Sequence, residues 1–434
     1  MRVLFTSPPA KAHLYAQVPL AWALRTAGHE VVMANRPNMA AEITRTGLTA
    51  VPVGPAFDPS AYIPRDGEAE KPSRATAPWA SWDQDLEFAE LRPERLTHDY
   101  MQAVHAAWTV MFQGVSPLPL IDDLVGFARW WRPDLVIWDT MAFAAPVAAR
   151  VCGAAHARAL FGLDLIAHMR STYLHEQARR PRQLRDDPLE DWLEPILAQY
   201  GHSFDEEMVV GQWTIDPLLP SMRLPVRHPY MSVRYVPYNG QAVVPDLLRK
   251  PPAGRRVCLT LGLTAREVLN ADRVPVDTVL QAVAGLDAEV IATLNADQLA
   301  TISRVPDNVR TIDFVPMNEL LPSCSAVIHQ GGFGTLQTAV AHGVPQVILP
   351  PRAGDWDSMV WARKVEESGA GVCVPSTERV TAQELRGTLD AVLEQPSFRR
   401  AAAGLRAEML GTPSPLDIVP LIEERVAAHR TDAR

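Results

Sequence analysis

The segment from residue 326 to residue 346 constrains the fold of this chain more than any other part of the sequence. A short apolar run ends in His329, a glycine-rich turn follows, and a helical segment then extends to Gly343. The turn contains Gly331, Gly332, Gly334 and Thr335. Glycines at a helix start let backbone N–H groups approach a ligand closely, and the helix dipole favours negative charge there. The pattern predicts a strand, turn and helix that bind a phosphate or diphosphate, although a turn needing glycine only for its dihedral angles would contain the same residues.

Two common nucleotide-binding motifs do not match this segment. The sequence contains no Gly-x-x-x-x-Gly-Lys-Ser/Thr, which argues against a P-loop ATPase. The spacing Gly-Gly-x-Gly differs from the Gly-x-Gly-x-x-Gly of dinucleotide-binding domains, and it lies far from the first strand of the chain. A nicotinamide-dependent dehydrogenase is therefore a poor fit.

The bulk composition indicates a globular enzyme with two domains. The chain has 434 residues, which is long for one hydrophobic core, and 47% of them are hydrophobic. A formal charge of −9 argues against nucleic-acid binding. The four cysteines lie far apart, so they suggest neither a zinc site nor a disulfide framework. Without a recognisable signal sequence or an apolar run of membrane length, we expect a cytoplasmic protein with no membrane contact.

Strands and helices alternate in two series, which predicts an α/β fold class with two doubly wound parallel-sheet, Rossmann-like domains. We place the first domain at residues 1–222, a proline-rich linker at 223–256 and the second domain at 257–412. Ligands of such domains bind outside the carboxyl ends of the strands, so we expect the domains to face an interdomain cleft that holds the site. The alternation breaks between about residues 57 and 119, where an aromatic-rich insertion is either a packing elaboration or a wall for a large apolar ligand.

His13 and Asp139 are the candidate catalytic pair. His13 follows the first predicted strand, in a loop before a helix that we predict from Val18 to Ala27, and Asp139 ends another strand of the same domain. A carboxylate bonded to one ring nitrogen fixes the tautomer and leaves the other nitrogen as a general base. The alternatives are a surface histidine and an aspartate that caps the following helix.

The sequence Asp355-Trp356-Asp357 also follows a predicted strand of the second domain. Such a motif can hold a divalent metal against a nucleotide sugar. Because the glycine turn already offers a helix N-terminus to the phosphates, we expect no metal here. Two carboxylates beside an aromatic face suit the hydroxyl groups of a sugar.

The chain resembles a known family in several long segments. The stretch from His329 to Gln346, followed by Asp-Trp-Asp and by residues 367–371, resembles the donor signature of inverting glycosyltransferases with the GT-B fold, in glycosyltransferase family 1. More narrowly, the chain resembles the actinomycete antibiotic glycosyltransferases that put deoxysugars on macrolide or anthracycline aglycones. The segments that carry this resemblance are 18–31, 47–54, 131–139, 235–240, 257–262 and 413–420. The resemblance covers nearly the whole chain and is weakest from 57 to 119.

The resemblance implies roles for individual residues. His13 would be the general base, supported by Asp139, with Asp164 as the rival for that supporting role. The donor site would consist of Val315 to Met317 around the thymine base, of His329, Gly331, Gly332, Gly334 and Thr335 on the diphosphate, and of Asp355, Trp356 and Asp357 facing the sugar. One departure is Ser358, where relatives that use glucose-type donors have glutamine after the aspartate. The loss of that glutamine suits a deoxysugar.

The function implied by this resemblance is an inverting, metal-independent transfer of a deoxysugar from TDP to a hydroxyl of a hydrophobic polyketide aglycone. The resemblance also implies a P450-like, haem-free activator protein as partner, leaves a homodimer open, and implies that a C-terminal helical segment, 413–434, crosses back to the first domain. Two alternatives stay open. One is a UDP-sugar-dependent transferase acting on a macrolide or a lipid, and the other is a nucleotide-sugar 2-epimerase.

Overall fold

The structure is a computed structural model that describes residues 1–58, 86–261, 276–294, 296–300, 302, 304–351, 356–375 and 380–432. The chain forms two compact units. The first unit comprises Met1–Val233 and Pro413–Arg434, and the second comprises Arg234–Thr412. The segment 223–256, predicted as a linker, is divided between the two units after Val233.

The first unit is built on a parallel sheet that has seven strands within the described residues. The strands are β1 (Arg2–Thr6), β2 (Glu30–Asn35), β3 (Thr49–Pro52), β4 (Leu135–Asp139), β5 (Ala155–Ala159), β6 (Trp213–Asp216) and β7 (Tyr230–Ser232). Their order is β3-β2-β1-β4-β5-β6-β7, so the direction of chain progression reverses between β1 and β4. Such a reversal opens a crevice beyond the carboxyl ends of the two central strands.

The strands β5, β6 and β7 were not predicted from the sequence. The interior of β5 contains His156 and Arg158, which interrupt the apolar run that marks a buried strand, and both side chains are nevertheless buried. The strand β7 has only three residues and lies at the sheet edge among prolines, within the segment that we had assigned to the linker.

The helices of the first unit connect its strands across both faces of the sheet. Within the described residues they are Lys11–Thr26, Ala40–Arg45, His98–Val115, Leu118–Trp131, Ala144–Cys152, Leu165–Ala178, Pro188–Gln199, Glu207–Val210 and Val419–Asp432. None of the helices among the described residues of the chain combines the length and hydropathy that crossing a lipid bilayer requires.

The first helix begins seven residues earlier than the sequence predicted. The sequence predicts a start at Val18, because the apolar positions Leu20, Ala21, Leu24 and Ala27 have helical spacing. The helix instead begins at Lys11 and contains Pro19 in its interior. Burial of Leu14 and Gln17 on the additional turns offsets the missing proline N–H. His13 therefore lies in the first turn of a helix and not in a loop.

The second unit repeats the same architecture. Its described strands are β8 (Arg256–Thr260), β9 (Glu289–Thr293), β10 (Val309–Ile312), β11 (Ala326–His329), β12 (Gln346–Ile348) and β13 (Gly371–Cys373). They are parallel in the order β10-β9-β8-β11-β12-β13, with the reversal between β8 and β11. The described helices are Val276–Val283, Ala296–Ala300, Met317–Leu320, Phe333–His342, Ser358–Glu367, Ala382–Glu394 and Pro396–Gly411.

Both faces of the second sheet are buried, as expected when helices cover a parallel sheet on each side. Val257 and Leu259 of β8 pack into one apolar cluster, together with Ile328 of β11. The intervening Cys258 and Val327 point into the cluster on the opposite face. This alternation fixes the register of β8 and β11, and with it the place where each strand ends.

The final helix packs on the first unit, although it follows the second unit in sequence. Ile422 and Val426 are buried, at 0% and 1% exposure. The polar side of the helix pairs with the same unit, since Glu423 lies 3.1 Å from His29 and Gln212 lies 3.1 Å from His429.

We predict that Ile422→Ala destabilises the first unit by about 2–5 kcal/mol, because it removes a fully buried aliphatic side chain and leaves a cavity. The adjacent Leu421 is 47% exposed and supplies the matched control. Leu421→Ala should cost less than about 1 kcal/mol. Urea unfolding of both full-length variants, followed by tryptophan fluorescence, measures the difference. Equal shifts in midpoint would contradict the packing of this helix.

Candidate active site

His13 and Asp139 are hydrogen-bonded at the strand reversal of the first sheet. His13 Nδ1 lies 2.8 Å from Asp139 Oδ2, and the two side chains are 14% and 1% exposed. The other carboxylate oxygen, Oδ1, accepts the backbone N–H of Met141 at 3.0 Å. Because an ionised carboxylate only accepts, Nδ1 of the ring carries the shared proton. His13 Nε2 is then the nitrogen that can accept a proton from a ligand.

The position of His13 follows from the end of β1. Thr6, the last residue of β1, is in register with Trp138 of β4, so Asp139 lies one residue beyond the end of β1, beside the turn that leads into the first helix. Asn35, the last residue of β2, holds that turn with its side-chain amide, which donates to the carbonyl of Ser7 at 2.9 Å. Asn35 is 5% exposed, so this hydrogen bond is protected from water.

Phe161 packs against the imidazole of His13, with 4.0 Å between the ring centroids and 47° between the ring planes. The phenyl ring therefore restricts the ring of His13, while Asp139 fixes its tautomer. Phe161 follows β5, a strand that the sequence pattern did not reveal, and this is why the sequence gave no reason to select it.

Asp164 is hydrogen-bonded to residues other than His13. Its Oδ2 accepts hydrogen bonds from Arg158 Nη2 at 2.5 Å and from the hydroxyl of Tyr230 at 2.6 Å. Its Oδ1 caps the helix Leu165–Ala178 by accepting the N–H of Ala167 at 3.2 Å. Of the two carboxylates considered from the sequence, Asp139 is therefore the one that hydrogen-bonds His13.

The glycine turn of the second unit follows β11, one of the two strands at the reversal of that sheet. Gly331 has φ +90°, a conformation that L side chains rarely adopt. A Cβ atom at this position would also lie 3.2 Å from Ile348 Cγ2 and 3.2 Å from Ser358 Cβ. Gly331 is therefore needed both for its backbone angle and for its close packing. The next glycine, Gly332, has no atom within 4 Å of an added Cβ.

The helix Phe333–His342 begins without a cap from any described side chain. Gly332 is its N-cap residue, and the N–H of Leu336 is the first that bonds back to it, donating to the Gly332 carbonyl at 3.0 Å. The N–H groups of residues 333–335 therefore have no carbonyl acceptor within the helix. An anion bound at the helix start would accept hydrogen bonds from these groups. Gly332 and Gly334 are exposed, so the turn is open to a ligand.

His329 is held inside the second unit, with only 1% of its surface exposed. Its Nδ1 accepts the N–H of Gly331 at 3.0 Å, and its Nε2 lies 2.9 Å from Gln346 Oε1. Burial lowers the pKa of His329 to about 4, so the ring is neutral near pH 7. The direct contact with a diphosphate that the resemblance implied would require one of these hydrogen bonds to break.

A second helix begins beside the glycine turn. Ser358, which a Cβ atom at Gly331 would meet, is the first residue of the helix Ser358–Glu367. Asp357 precedes it, is 6% exposed and accepts a 2.6 Å hydrogen bond from Trp361 Nε1. Trp356 has φ +41°, which is unusual for a residue other than glycine. Asp355 lies outside the described residues, as do Trp79 and Trp82 of the aromatic-rich insertion.

The remaining predicted donor residues lie near the start of the helix Met317–Leu320. The side chain of Val315 is 2% exposed and belongs to the apolar cluster on one face of the sheet, and Met317 packs against that cluster. The short helix is joined to the helix after the glycine turn by Asn318, whose Oδ1 lies 2.9 Å from His342 Nε2. Because both side chains are used for packing, only the backbone of residues 315–317 is left to contact a nucleotide base.

Two aromatic residues beside the glycine turn were not selected from the sequence. Tyr235 meets Phe333 edge to face, at 5.5 Å between centroids, and Trp361 lies 6.5 Å from the same ring. Tyr235 belongs to the segment that we had assigned to the linker. Among the described residues, no group of three or more His, Cys, Asp or Glu side chains is arranged to hold a metal ion.

Two doubly wound domains, with a histidine–aspartate pair in one and an open helix start in the other, define a glycosyltransferase of the GT-B fold class. Models of the erythromycin biosynthesis protein CIII-like family match residues 22–262 with their N-terminal domain and residues 277–425 with their C-terminal domain. The chain belongs to this family.

Individual relatives agree with this assignment along their full lengths. The chain is 53% identical over 433 residues to the aclacinomycin-T 2-deoxy-L-fucose transferase of Streptomyces galilaeus, covering 100% of this chain and 98% of that protein. It is 46% identical over 438 residues to the 10-deoxymethynolide desosaminyltransferase of Streptomyces venezuelae, covering 100% of both. The crystal structure of the glycosyltransferase VinC in complex with dTDP matches with a TM-score of 0.86 and 41% identity, covering 99% of this chain and 100% of that one.

We predict that Gly331→Ala destabilises the second unit by about 2–4 kcal/mol, because an alanine there has both a strained backbone angle and a tight contact. Gly332→Ala, in the adjacent position with φ −60° and open space, should cost less than about 1 kcal/mol. Denaturant unfolding of the two variants measures the contrast. If Gly332→Ala is the more destabilising change, the geometry of the turn is not the one described.

Proposed function

We propose that this glycosyltransferase moves a deoxysugar from a TDP-activated donor to a hydroxyl of a polyketide aglycone, macrolide or anthracycline-like, in antibiotic biosynthesis. The observation that carries the proposal is the hydrogen bond between His13 and Asp139 at the strand reversal of the first sheet. It provides an oriented base for a hydroxyl nucleophile. The relatives support the substrate classes, since they are transferases of deoxysugars to such aglycones. In this proposal the first unit binds the acceptor and the second binds the nucleotide sugar.

The proposed reaction is a single displacement with inversion at the anomeric carbon. His13 Nε2 removes the proton of the acceptor hydroxyl, and the positive charge that forms on the ring is stabilised by Asp139 through Nδ1. The hydroxyl oxygen attacks the anomeric carbon from the face opposite the nucleotide, through an oxocarbenium-like transition state. Phe161 limits the rotation of the imidazole during this proton transfer.

TDP is the proposed leaving group, and its diphosphate carries the charge that develops as the glycosidic bond to the sugar breaks. We propose that the segment comprising His329, Gly331, Gly332, Gly334 and Thr335 binds this diphosphate, with the N–H groups of residues 333–335 as donors. The first N–H groups of a helix have no intrahelical acceptor and are held in place by the helix itself, so little reorganisation is needed when the charge forms. No metal ion is required in this scheme, because the helix start supplies the positive electrostatic potential.

We propose the remaining contacts to the nucleotide sugar from the positions of these residues in the sequence. The backbone around Val315 and Met317 would frame the thymine base, and Asp355, Trp356 and Asp357 would face the sugar. Ser358 is the first residue of its helix, and its short side chain lacks the amide with which a glutamine would bind sugar hydroxyls. This supports a deoxysugar as the donor group.

We also propose a protein partner of the P450-like, haem-free activator type and a cytoplasmic location, both from the resemblance of the whole chain to antibiotic glycosyltransferases. A homodimer is a further arrangement compatible with this proposal. Sedimentation of the purified chain, alone and mixed with a purified activator protein of this type, measures both associations directly.

We predict that His13→Ala abolishes turnover and leaves the affinity for TDP within about twofold, because the base is lost while the diphosphate segment is unchanged. His175 is exposed on the helix Leu165–Ala178 and supplies the matched control. His175→Ala should retain full turnover. Product formation by chromatography and TDP binding by calorimetry provide the two readouts, and turnover by His13→Ala at the wild-type rate would refute the assignment.

The variant Asp139→Asn tests, in the same assay, whether Asp139 fixes the tautomer of His13. An amide can hold the ring in the wrong tautomer, so turnover should fall by about a hundredfold or more with TDP affinity unchanged. A variant that keeps full turnover would show that Asp139 only caps the following turn through Met141.

A further inference from the structure

Gln346, His329 and Gly331 form a buried hydrogen-bonded chain behind the glycine turn. Gln346 begins β12, His329 ends β11, and the two side chains are each 1% exposed. The chain runs from Gln346 Oε1 to His329 Nε2 over 2.9 Å and from His329 Nδ1 to the N–H of Gly331 over 3.0 Å. Its last member is the residue with φ +90° at which the turn begins.

The N–H of Gly331, at one end of this chain, determines which atom donates in each of the two hydrogen bonds. The backbone N–H of Gly331 can only donate, so His329 Nδ1 must be the unprotonated nitrogen. The proton of the neutral ring is then on Nε2, and this N–H donates to the side-chain oxygen of Gln346. The opposite tautomer would place an N–H of the ring against the N–H of Gly331. An imidazolium would do the same, because both of its nitrogens are donors.

The hydrogen bond from Gly331 to His329 helps to fix the backbone that leads to the N–H groups of residues 333–335. Gly331 leads directly into Gly332, the N-cap of the helix whose first N–H groups are the proposed diphosphate donors. Gly331 has no side chain, so its N–H is the group through which the protein interior can hold its orientation. A ring that cannot accept this N–H would leave the turn with a buried unsatisfied donor and a less defined backbone.

We propose that Gln346 is a positioning residue for the nucleotide site, and that it acts by holding His329 in the tautomer that accepts the Gly331 N–H. The proposal rests on the proposed function of this turn in binding a diphosphate. The side-chain oxygen of Gln346 is hydrogen-bonded to His329, so the proposed effect of Gln346 on the turn passes through His329.

The amide is better suited to this task than a carboxylate. An amide oxygen accepts the Nε2 proton without adding charge, so the ring stays neutral in its buried position. A carboxylate in the same place would stabilise the imidazolium, and the second proton would then occupy Nδ1. The chemistry of the pair therefore predicts different behaviour for the two substitutions Gln346→Leu and Gln346→Glu.

The test begins with the protein without ligand. The ¹⁵N chemical shifts of His329, assigned by comparison with His329→Gln, report which ring nitrogen is protonated. Wild-type protein should show Nε2 protonated and Nδ1 unprotonated. Gln346→Leu, which removes the acceptor at similar volume, should show a substantial population of the other tautomer and should weaken TDP binding by about tenfold.

The pH profile of Gln346→Glu separates positioning from packing. The carboxylate raises the pKa of His329, so the imidazolium forms below that raised pKa and the neutral ring returns above it. The TDP affinity of Gln346→Glu, divided by that of the wild type, should be close to one at pH 9 and should fall several-fold as the pH is lowered through the raised pKa toward about pH 5, where the wild-type ring is still mostly neutral. Taking the ratio at each pH cancels the titration of the ligand phosphate. A purely structural defect would give a constant ratio.

Gln337 supplies the matched control, because it is a buried glutamine of the same unit, at 1% exposure, on the helix Phe333–His342. Gln337→Leu should leave the tautomer of His329 and the affinity for TDP unchanged. The inference is overturned if Gln346→Leu keeps both the wild-type tautomer and TDP affinity within twofold, or if Gln346→Glu gives a ratio that does not change with pH. Absence of TDP binding by wild-type protein would instead overturn the proposed function, whatever the tautomer of His329.

Discussion

A parallel sheet whose chain progression reverses at one point determines where this enzyme can place its reactive groups. Each parallel strand must be followed by a connection that leaves from its carboxyl end, and at the reversal the connections of two adjacent strands leave in opposite directions. In the first unit the two strands are β1 and β4, and they supply His13 and Asp139. In the second unit the reversal lies between β8 and β11, and the glycine turn follows β11. The same constraint thus places the proposed proton acceptor in one unit and the proposed anion site in the other.

The two histidines at these reversals show how the partner of an imidazole sets its use. His13 is partly exposed and its Nδ1 is hydrogen-bonded to a carboxylate, which leaves Nε2 as the nitrogen that can accept a proton. His329 is fully buried and bonded to a neutral amide, and burial keeps its pKa near 4. The first arrangement suits proton transfer, and the second suits a fixed hydrogen-bond acceptor. Neither could take over the role of the other without a change of partner.

Much of the fold could be predicted because the buried strands of both units are apolar and end at glycines, prolines or polar residues. The apolar runs of the second unit predict strands at 257–261, 289–294, 309–315, 326–328, 347–349 and 371–374, and all six described strands lie within about three residues of these ranges. Each strand contributes a short run such as Val327–Ile328 to a core that is buried on both sides. The strands β5 and β7 could not be predicted, because one carries the buried Arg158 and the other has three residues among prolines. The first helix was predicted too short because burial of Leu14 outweighs the cost of Pro19.

The candidate site could be predicted only as far as residue type and strand position allow. The pairing of His13 with Asp139 follows from the carboxyl ends of two strands, although their adjacency becomes visible only in the sheet order. Gln346 lies 17 positions from its partner His329, and Phe161 lies 148 positions from its partner His13. The roles of Gln346 and Phe161 depend on these contacts, which no local sequence pattern encodes. Asp164 was a reasonable rival to Asp139 by position, and its hydrogen bonds to Arg158 and Tyr230 become apparent only in the folded chain.

The central claim is that the open start of the helix Phe333–His342 binds the diphosphate of a thymidine nucleotide. Calorimetric titration of the full chain with TDP and, separately, with UDP tests it most directly. We expect TDP to bind one site per chain, and to bind about tenfold or more tightly than UDP, since the thymine methyl group is the main apolar feature that a base pocket can use. Tighter binding of UDP would contradict the assignment of the donor. Absence of binding by either nucleotide would contradict the claim that this turn is a diphosphate site.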